Sequence, residues 1–162
     1  MYPHAHFITG FLFGVIGWRF GIINAVDMFI IAAGAVLIDI DHYIYYIIRH
    51  KDLNPKRFWN KSAEYGITKE ENERTFIHHL PGMTIIIPLL FILLFFSLRI
   101  GYIAITIYIP HMILDHLNYI NKRLSEYHVV DIFGLKFLWN FAQESLFFIL
   151  TAISMVLLYS AL

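Results

Sequence analysis

Two acids and a histidine occupy four positions, Asp39-Ile40-Asp41-His42, at the end of a long apolar run. An ionised carboxylate is costly near hydrocarbon unless it is paired or bound to a cation, so a plain apolar helix would not carry two there. Three further apolar runs begin or end with the same chemistry: His4 and His6, His78-His79, and His111-Met-Ile-Leu-Asp115-His116. Imidazole and carboxylate are the ligands of borderline divalent ions such as zinc, and with no cysteine in the chain they are the only protein ligands of that class available. An ion held by such groups polarises a scissile bond and makes water a nucleophile near neutral pH. The absence of cysteine also excludes a disulfide framework.

The elements that must position these groups follow from the apolar runs and the breaks between them. The pattern predicts five helices, over about 5–18, 22–48, 82–99, 101–121 and 138–161. The first carries Gly10, Gly14, Gly17 and Gly21, a stripe along which another helix can approach closely. His6 lies four residues before Gly10 and shares that face, whereas His4 points nearly the opposite way. The second would be ~40 Å long if unbroken, so it tilts, breaks near Asp39 or leaves the hydrocarbon. On an unbroken helix Ala32, Ala35, Asp39 and His42 share a face and Asp41 lies off it. Both aspartates serve one centre only if the helix ends or distorts, or if one of them supports a ligand instead of ligating. His111 and Asp115, four apart, share a helical face. Asp27, Asn24 and the glycine stripe are read as structural.

Of 162 residues 59% are hydrophobic and 15% charged, and the mean hydropathy is +0.64, values of an integral membrane protein. We therefore expect one domain over 1–162: an all-α membrane helical bundle with a polar cytoplasmic insertion at about 49–80. The formal net charge is zero, which gives no basic surface for nucleic acid. The N-terminus lacks the basic start and cleavage pattern of a removable signal peptide. The insertion is long for a connection, so it should have structure of its own, and Phe58 and Trp59 among its basic residues suggest that it lies along the membrane surface.

If all five segments cross, parity puts His6, the Asp39–His42 motif, His78/His79, Asp115/His116 and His128 on one side. Ten of the twelve basic residues fall there too, against Arg19 and Arg99 opposite, so the positive-inside rule makes that side cytoplasmic. His111 lies ~15 Å into its helix, within the membrane.

These motifs resemble those of a known family, the YdjM-type membrane-bound metal-dependent hydrolases, also described as LexA-binding, inner-membrane-associated hydrolases. That pattern has an early histidine, Leu-Pro-Asp-x-Asp-His, His-Arg-x-x-x-His-Ser and His-x-x-x-Asp. Here His6 matches the first, and Leu37-Ile38-Asp39-Ile40-Asp41-His42 the second with Ile38 for proline. Glu73-Arg74-Thr75-Phe76-Ile77-His78-His79 matches the third, with Glu73 for the first histidine and His79 for serine, and His111-x-x-x-Asp115 matches the last. The resemblance covers about residues 4–120 and implies a metal site and hydrolysis. A weaker similarity in motif order to zinc-dependent phospholipase C and P1-type nucleases suggests phosphoester chemistry.

The expected ligands of one or two divalent ions, zinc above all, are accordingly His6, Asp39, Asp41, His42, His78, His111 and Asp115. Asp39 or Glu73 would accept a proton and Arg74 would contact phosphate. His79, His116 and, more weakly, His128 stand behind better candidates; His4 and His50 are read as surface. The substrate expected at headgroup depth is a lipid or lipid-linked phosphoester. Two rivals remain: a non-catalytic metal protein that binds a cytosolic partner through 49–80, and a metal-ion carrier. The carrier needs ligands on both sides, and the far side has none.

Overall fold

The computed structural model describes residues 3–68, 75–124 and 128–160. Within them the chain is almost entirely helical: α1 (Pro3–Arg19), α2 (Ala25–Leu37), α3 (Ile40–His50), α4 (Pro55–Thr68), a 3₁₀ turn (Phe76–His78), α5 (Leu80–Phe96), α6 (Leu98–Leu124) and α7 (Phe141–Tyr159). A two-stranded antiparallel hairpin, β1 (His128–Ile132) and β2 (Leu135–Trp139), separates α6 from α7.

Glycine sets the main packing. A Cβ on Gly10 would sit 2.9 Å from Ala35 Cβ, and one on Gly14 would sit 2.8 Å from Met28 Cα. The stripe is therefore the contact face on which α1 and α2 run antiparallel in near-backbone contact. Gly17 continues the stripe against the ring of Tyr102 on α6, whose hydroxyl donates to the Phe13 carbonyl at 2.7 Å. Val15 and Ile31 are fully buried at the centre with Ile23 and Met28 around them. The turn between α1 and α2 uses Gly21 at φ +70°, and Asn24 and Asp27 close a reciprocal capping box on α2. Arg99 grips buried Asp27 through two hydrogen bonds of 2.8 and 2.9 Å, joining the start of α6 to the start of α2.

The structure departs from the expected five helices in three places. The long second helix is broken: Ile38 and Asp39 separate α2 from α3. The insertion contains α4, as its length led us to expect, but Phe58 packs on Tyr43 and Tyr46 at 5.1 and 5.4 Å and Trp59 Nε1 donates to the Lys136 carbonyl at 2.9 Å. Both aromatics are thus turned onto the protein. The last polar loop forms the hairpin, whose β-branched Val129, Val130 and Ile132 suit a strand. Among the described residues one helical stretch, Leu98–Leu117, is long and apolar enough to cross a membrane; Leu80–Phe96 and Glu144–Tyr159 are shorter apolar helices. Large apolar side chains nevertheless cover the outside, including Phe29 on α2, Phe95 on α5, Ile113 on α6 and Phe148 on α7. A surface of that kind suits lipid better than water.

Candidate metal centre

The antiparallel register of α1 and α2 does the first part of the assembly. Since Gly10 meets Ala35, His6 one turn earlier meets Asp39 one turn later: His6 Nε2 is 4.0 Å from Asp39 Oδ2 and 3.2 Å from Asp115 Oδ1. Gly82 does the second. A Cβ there would fall 2.0 Å from the Phe76 carbonyl oxygen, so the 3₁₀ turn lies directly on the start of α5, and the Tyr108 hydroxyl donates to the Ile77 carbonyl at 2.6 Å. This brings His78 to the face of α6 that carries His111.

Four donors then surround one point: Asp39, His78, His111 and Asp115, with ligand atoms within 4.8 Å of one another. His78 Nε2 and His111 Nε2 are 3.2 Å apart; Asp39 Oδ1 lies 3.5 and 3.3 Å from them, and Asp115 Oδ2 3.8 and 3.6 Å. Ligand bonds near 2.0–2.1 Å at tetrahedral angles give edges of about 3.3–3.5 Å. Four of these five edges lie within about 0.1 Å of a tetrahedral zinc cage, and the His78–Asp115 edge, at 3.8 Å, is longer.

The imidazoles are also held in the orientation that ligation needs. His111 Nδ1 lies 2.7 Å from the Ala35 carbonyl, to which it can only donate, so Nε2 is the nitrogen left for a cation. His78 Nδ1 lies 3.1 Å from Asp41 Oδ2, and the Thr75 hydroxyl donates to the same oxygen. Asp41 therefore stands behind His78 as a carboxylate–histidine pair, and the break at Ile38–Asp39 lets Asp39 face the centre while Asp41 faces the back of the imidazole. Burial opposes a charge on His78, but hydrogen bonding to Asp39 and Asp41 outweighs it and pushes this group up to about 9. Asp41 is likewise held below the ordinary carboxylate range: burial works the other way, and hydrogen bonds from His78 and Thr75 prevail.

Other expected residues fall around this core. The His6 ring stacks on that of His111 at 4.0 Å, and His6 addresses the outer oxygens of Asp39 and Asp115 rather than the four-donor point. His42 lies 3.9 Å from Asp39 Oδ1 and, with Asp41 and His78, forms a second group able to hold a cation. His79 and His116 are exposed. His4 is 3.5 Å from Glu144, away from His6 as the helical periodicity required. Glu73 and Arg74 lie outside the described residues. Two participants, Thr75 and the Ala35 carbonyl, escaped sequence reasoning. Thr75 could have been noticed as a hydroxyl three residues before His78; a backbone carbonyl leaves no residue-type signal.

The group fits a cation on a further count: Asp39 Oδ1, Asp41 Oδ1 and His6 Nδ1 are buried without a hydrogen-bond partner. Such atoms are costly unless something compensates them. A model of the YdjM inner membrane protein family matches residues 1–161, essentially the whole chain. The chain belongs to that family. No curated protein and no solved structure matches it. As a YdjM-family chain it is an inner membrane protein, and its His/Asp cluster could hold a metal ion.

Proposed function

We propose that this YdjM-family chain is a multi-pass, membrane-embedded metal-dependent hydrolase that cleaves a lipid or lipid-linked phosphoester at the cytoplasmic leaflet. The observation that carries the reading is the four-donor cage, because its two imidazoles are fixed by second hydrogen bonds with Nε2 turned inward. Zinc is the ion this donor set suits best. When bound, such an ion supplies Lewis-acid polarisation of a phosphoryl oxygen and a lowered pKa for water.

The chain's own groups divide the remaining work. Asp39, His78, His111 and Asp115 would hold the cation, with His6 bracing the outer oxygens of the two carboxylates and Asp115, the most exposed of the four, the ligand that would yield to water. The histidines of the cage are sealed, at 4% and 0% side-chain exposure, while Asp115 is 26% exposed, so the cage opens on its carboxylate side. Substrate enters from there. Glu73, five residues ahead of His78, is placed by its motif to take the proton released when water attacks phosphorus, and Arg74 to hold the phosphate oxygens. The P–O bond to the leaving alcohol breaks, the proton taken up by Glu73 passes to the departing oxygen, and the products are the alcohol and the phosphate.

Sidedness supports the location. The site gathers the start of α1, the end of α2 and the turn before α5 at one end of the helices, where ten of the twelve basic residues also lie in sequence. The test is release of phosphorylated or alcohol headgroup from vesicles of phosphatidylethanolamine and phosphatidylglycerol by the purified, metal-loaded protein. Release that stops on chelation and is absent in Asp39→Ala is expected; full release by that variant rejects the reading. Metal retained without turnover on any phosphoester favours the alternative, in which the metal is structural and α4 docks a cytosolic partner.

A further inference from the structure

The hairpin between α6 and α7 closes through Phe133 and Gly134, with Ile132 paired to Leu135. Both turn residues have positive φ, +54° and +75°. A two-residue turn of this kind favours Asn-Gly or Asp-Gly, because a bulky side chain in the left-handed region is strained. Phe133 nevertheless occupies the first position, and it is 97% exposed. The side chain therefore gains no packing inside the chain to offset its conformational cost. Strain of this kind, held by a residue that contributes nothing to the fold, points to a role outside it.

The surroundings say what kind of surface meets it. Lys56 Nζ donates to the Phe133 carbonyl at 3.4 Å, which sets an ammonium at the turn. Arg57, next to Lys56 in sequence, is instead paired with Asp52 at 3.4 Å. Ile132 adds a second exposed apolar side chain, at 48%. The hairpin's one acid in reach, Asp131, is turned back onto the Gly134 amide at 2.8 Å. An exposed apolar tip with a lysine ammonium at its turn is complementary to an anionic membrane surface.

The covalent path requires the tip to be near that surface. Seven helical residues separate Leu117, the end of the apolar stretch of α6, from Leu124, ~10 Å at 1.5 Å per residue. At the other end, β2 finishes two residues before α7 begins, and the apolar part of α7 starts at Glu144. A five-residue strand reaches ~17 Å, enough to return the tip to headgroup depth. We propose that the hairpin tip, through Phe133 and Ile132, inserts into the headgroup boundary of the anionic leaflet on the metal-site side. Through Asn60, whose side chain donates to the Gly134 carbonyl at 3.0 Å and accepts from the Lys136 amide at 2.9 Å, it thereby holds α4 against the membrane.

Because the chain contains no cysteine, single nitroxide labels can be placed without other changes. The full-length protein is reconstituted in vesicles of phosphatidylcholine and phosphatidylglycerol, and oxygen and nickel-chelate accessibilities are read at Phe133→Cys. Phe95→Cys on α5 and Lys51→Cys between α3 and α4 serve as lipid and water references. The expected oxygen-to-nickel ratio at position 133 lies severalfold above that at 51, and it falls when phosphatidylglycerol is left out. A ratio at 133 equal to that at 51 overturns the proposal, as does nickel protection that persists unchanged in detergent, the mark of a protein contact. Phe95→Cys reading lipid alongside a watery 133 would sink this inference alone and leave the membrane-embedded hydrolase standing. Phe133→Asn suits the turn better than the native residue, so it should unfold no earlier than wild type in detergent, while an Ile132→Cys label in that background becomes nickel-accessible in vesicles.

Discussion

Asp39 and Asp41 are two positions apart and have different duties in this structure, which makes them a sensitive test. Asp39 Oδ1 lies within 3.5 Å of both inward imidazole nitrogens, so Asp39→Ala removes a ligand and its charge from a four-donor cage. Asp41 touches His78 on the far nitrogen, at 3.1 Å, and is fixed by Thr75. Asp41→Asn keeps an acceptor there but removes the charge that raises the basicity of the imidazole. Loss of such a supporting carboxylate lowers metal affinity about 10–100-fold, or about 1.4–2.8 kcal/mol. Thr75→Val, which only frees the carboxylate, should stay within about tenfold by the same reasoning. Competition titration of the detergent-purified protein against a chromogenic zinc chelator measures all three, with metal content by elemental analysis as a check. The expected order of affinities is wild type, then Thr75→Val, then Asp41→Asn, with Asp39→Ala losing the metal during purification. Equal loss in Asp39→Ala and Asp41→Asn would place both carboxylates on the ion and refute the division of labour. An unchanged affinity in Asp39→Ala would refute the cage.

Three further outcomes follow from the geometry. His78 has a folded-state value raised to about 9 against 6.5, so its contribution to metal-free stability is complete below pH 6.5 and lost as pH climbs through 9. A cation must expel that proton, and its apparent affinity should therefore rise about tenfold per pH unit between those limits and then level off; a flat profile in the same chelator assay contradicts this. Gly14→Leu drives a side chain into the Met28 backbone 2.8 Å away; overpacking of this kind costs about 1–3 kcal/mol, and both the thermal midpoint in detergent and the zinc content should fall. Arg99→Leu leaves buried Asp27 without its cation and should lower the thermal midpoint, yet zinc content should be unchanged because that pair ties the opposite ends of α2 and α6 to those bearing the cage.

The sequence made the contacts of side chains on regular helices legible. Spacing alone put His6 on the glycine face and His4 off it and paired His111 with Asp115; each depends only on 3.6 residues per turn. It could not say where an apolar helix stops. The length of the second run raised a break near Asp39 as one of three outcomes, but no glycine or proline in Ala-Val-Leu-Ile-Asp-Ile-Asp selects it over the other two, since every residue tolerates a helix. The hairpin was equally hidden, because its turn, Phe-Gly, is not a residue pair that turn chemistry favours. Glu73 and Arg74 rest on their motif alone.

That break is what joins fold to chemistry. Along an intact helix the Asp39 amide would bond to the Ala35 carbonyl four residues back; here it bonds to Val36 at 3.2 Å instead, tightening the last turn. The Ala35 carbonyl is thereby left to accept from His111 Nδ1 at 2.7 Å, which fixes the tautomer whose Nε2 faces the cage. The same tightening brings Asp41, which an intact helix would turn well away from Asp39, to the back of His78 while Asp39 enters the centre. One local departure from helical geometry thus sets a ligand, a supporting carboxylate and a histidine tautomer on a different helix. An apolar, close-packed α1–α2 interface, with Ala32 and Ala35 pressed against the glycine stripe, then keeps the break from relaxing, because any rotation of α2 would drive its backbone into Gly10 and Gly14.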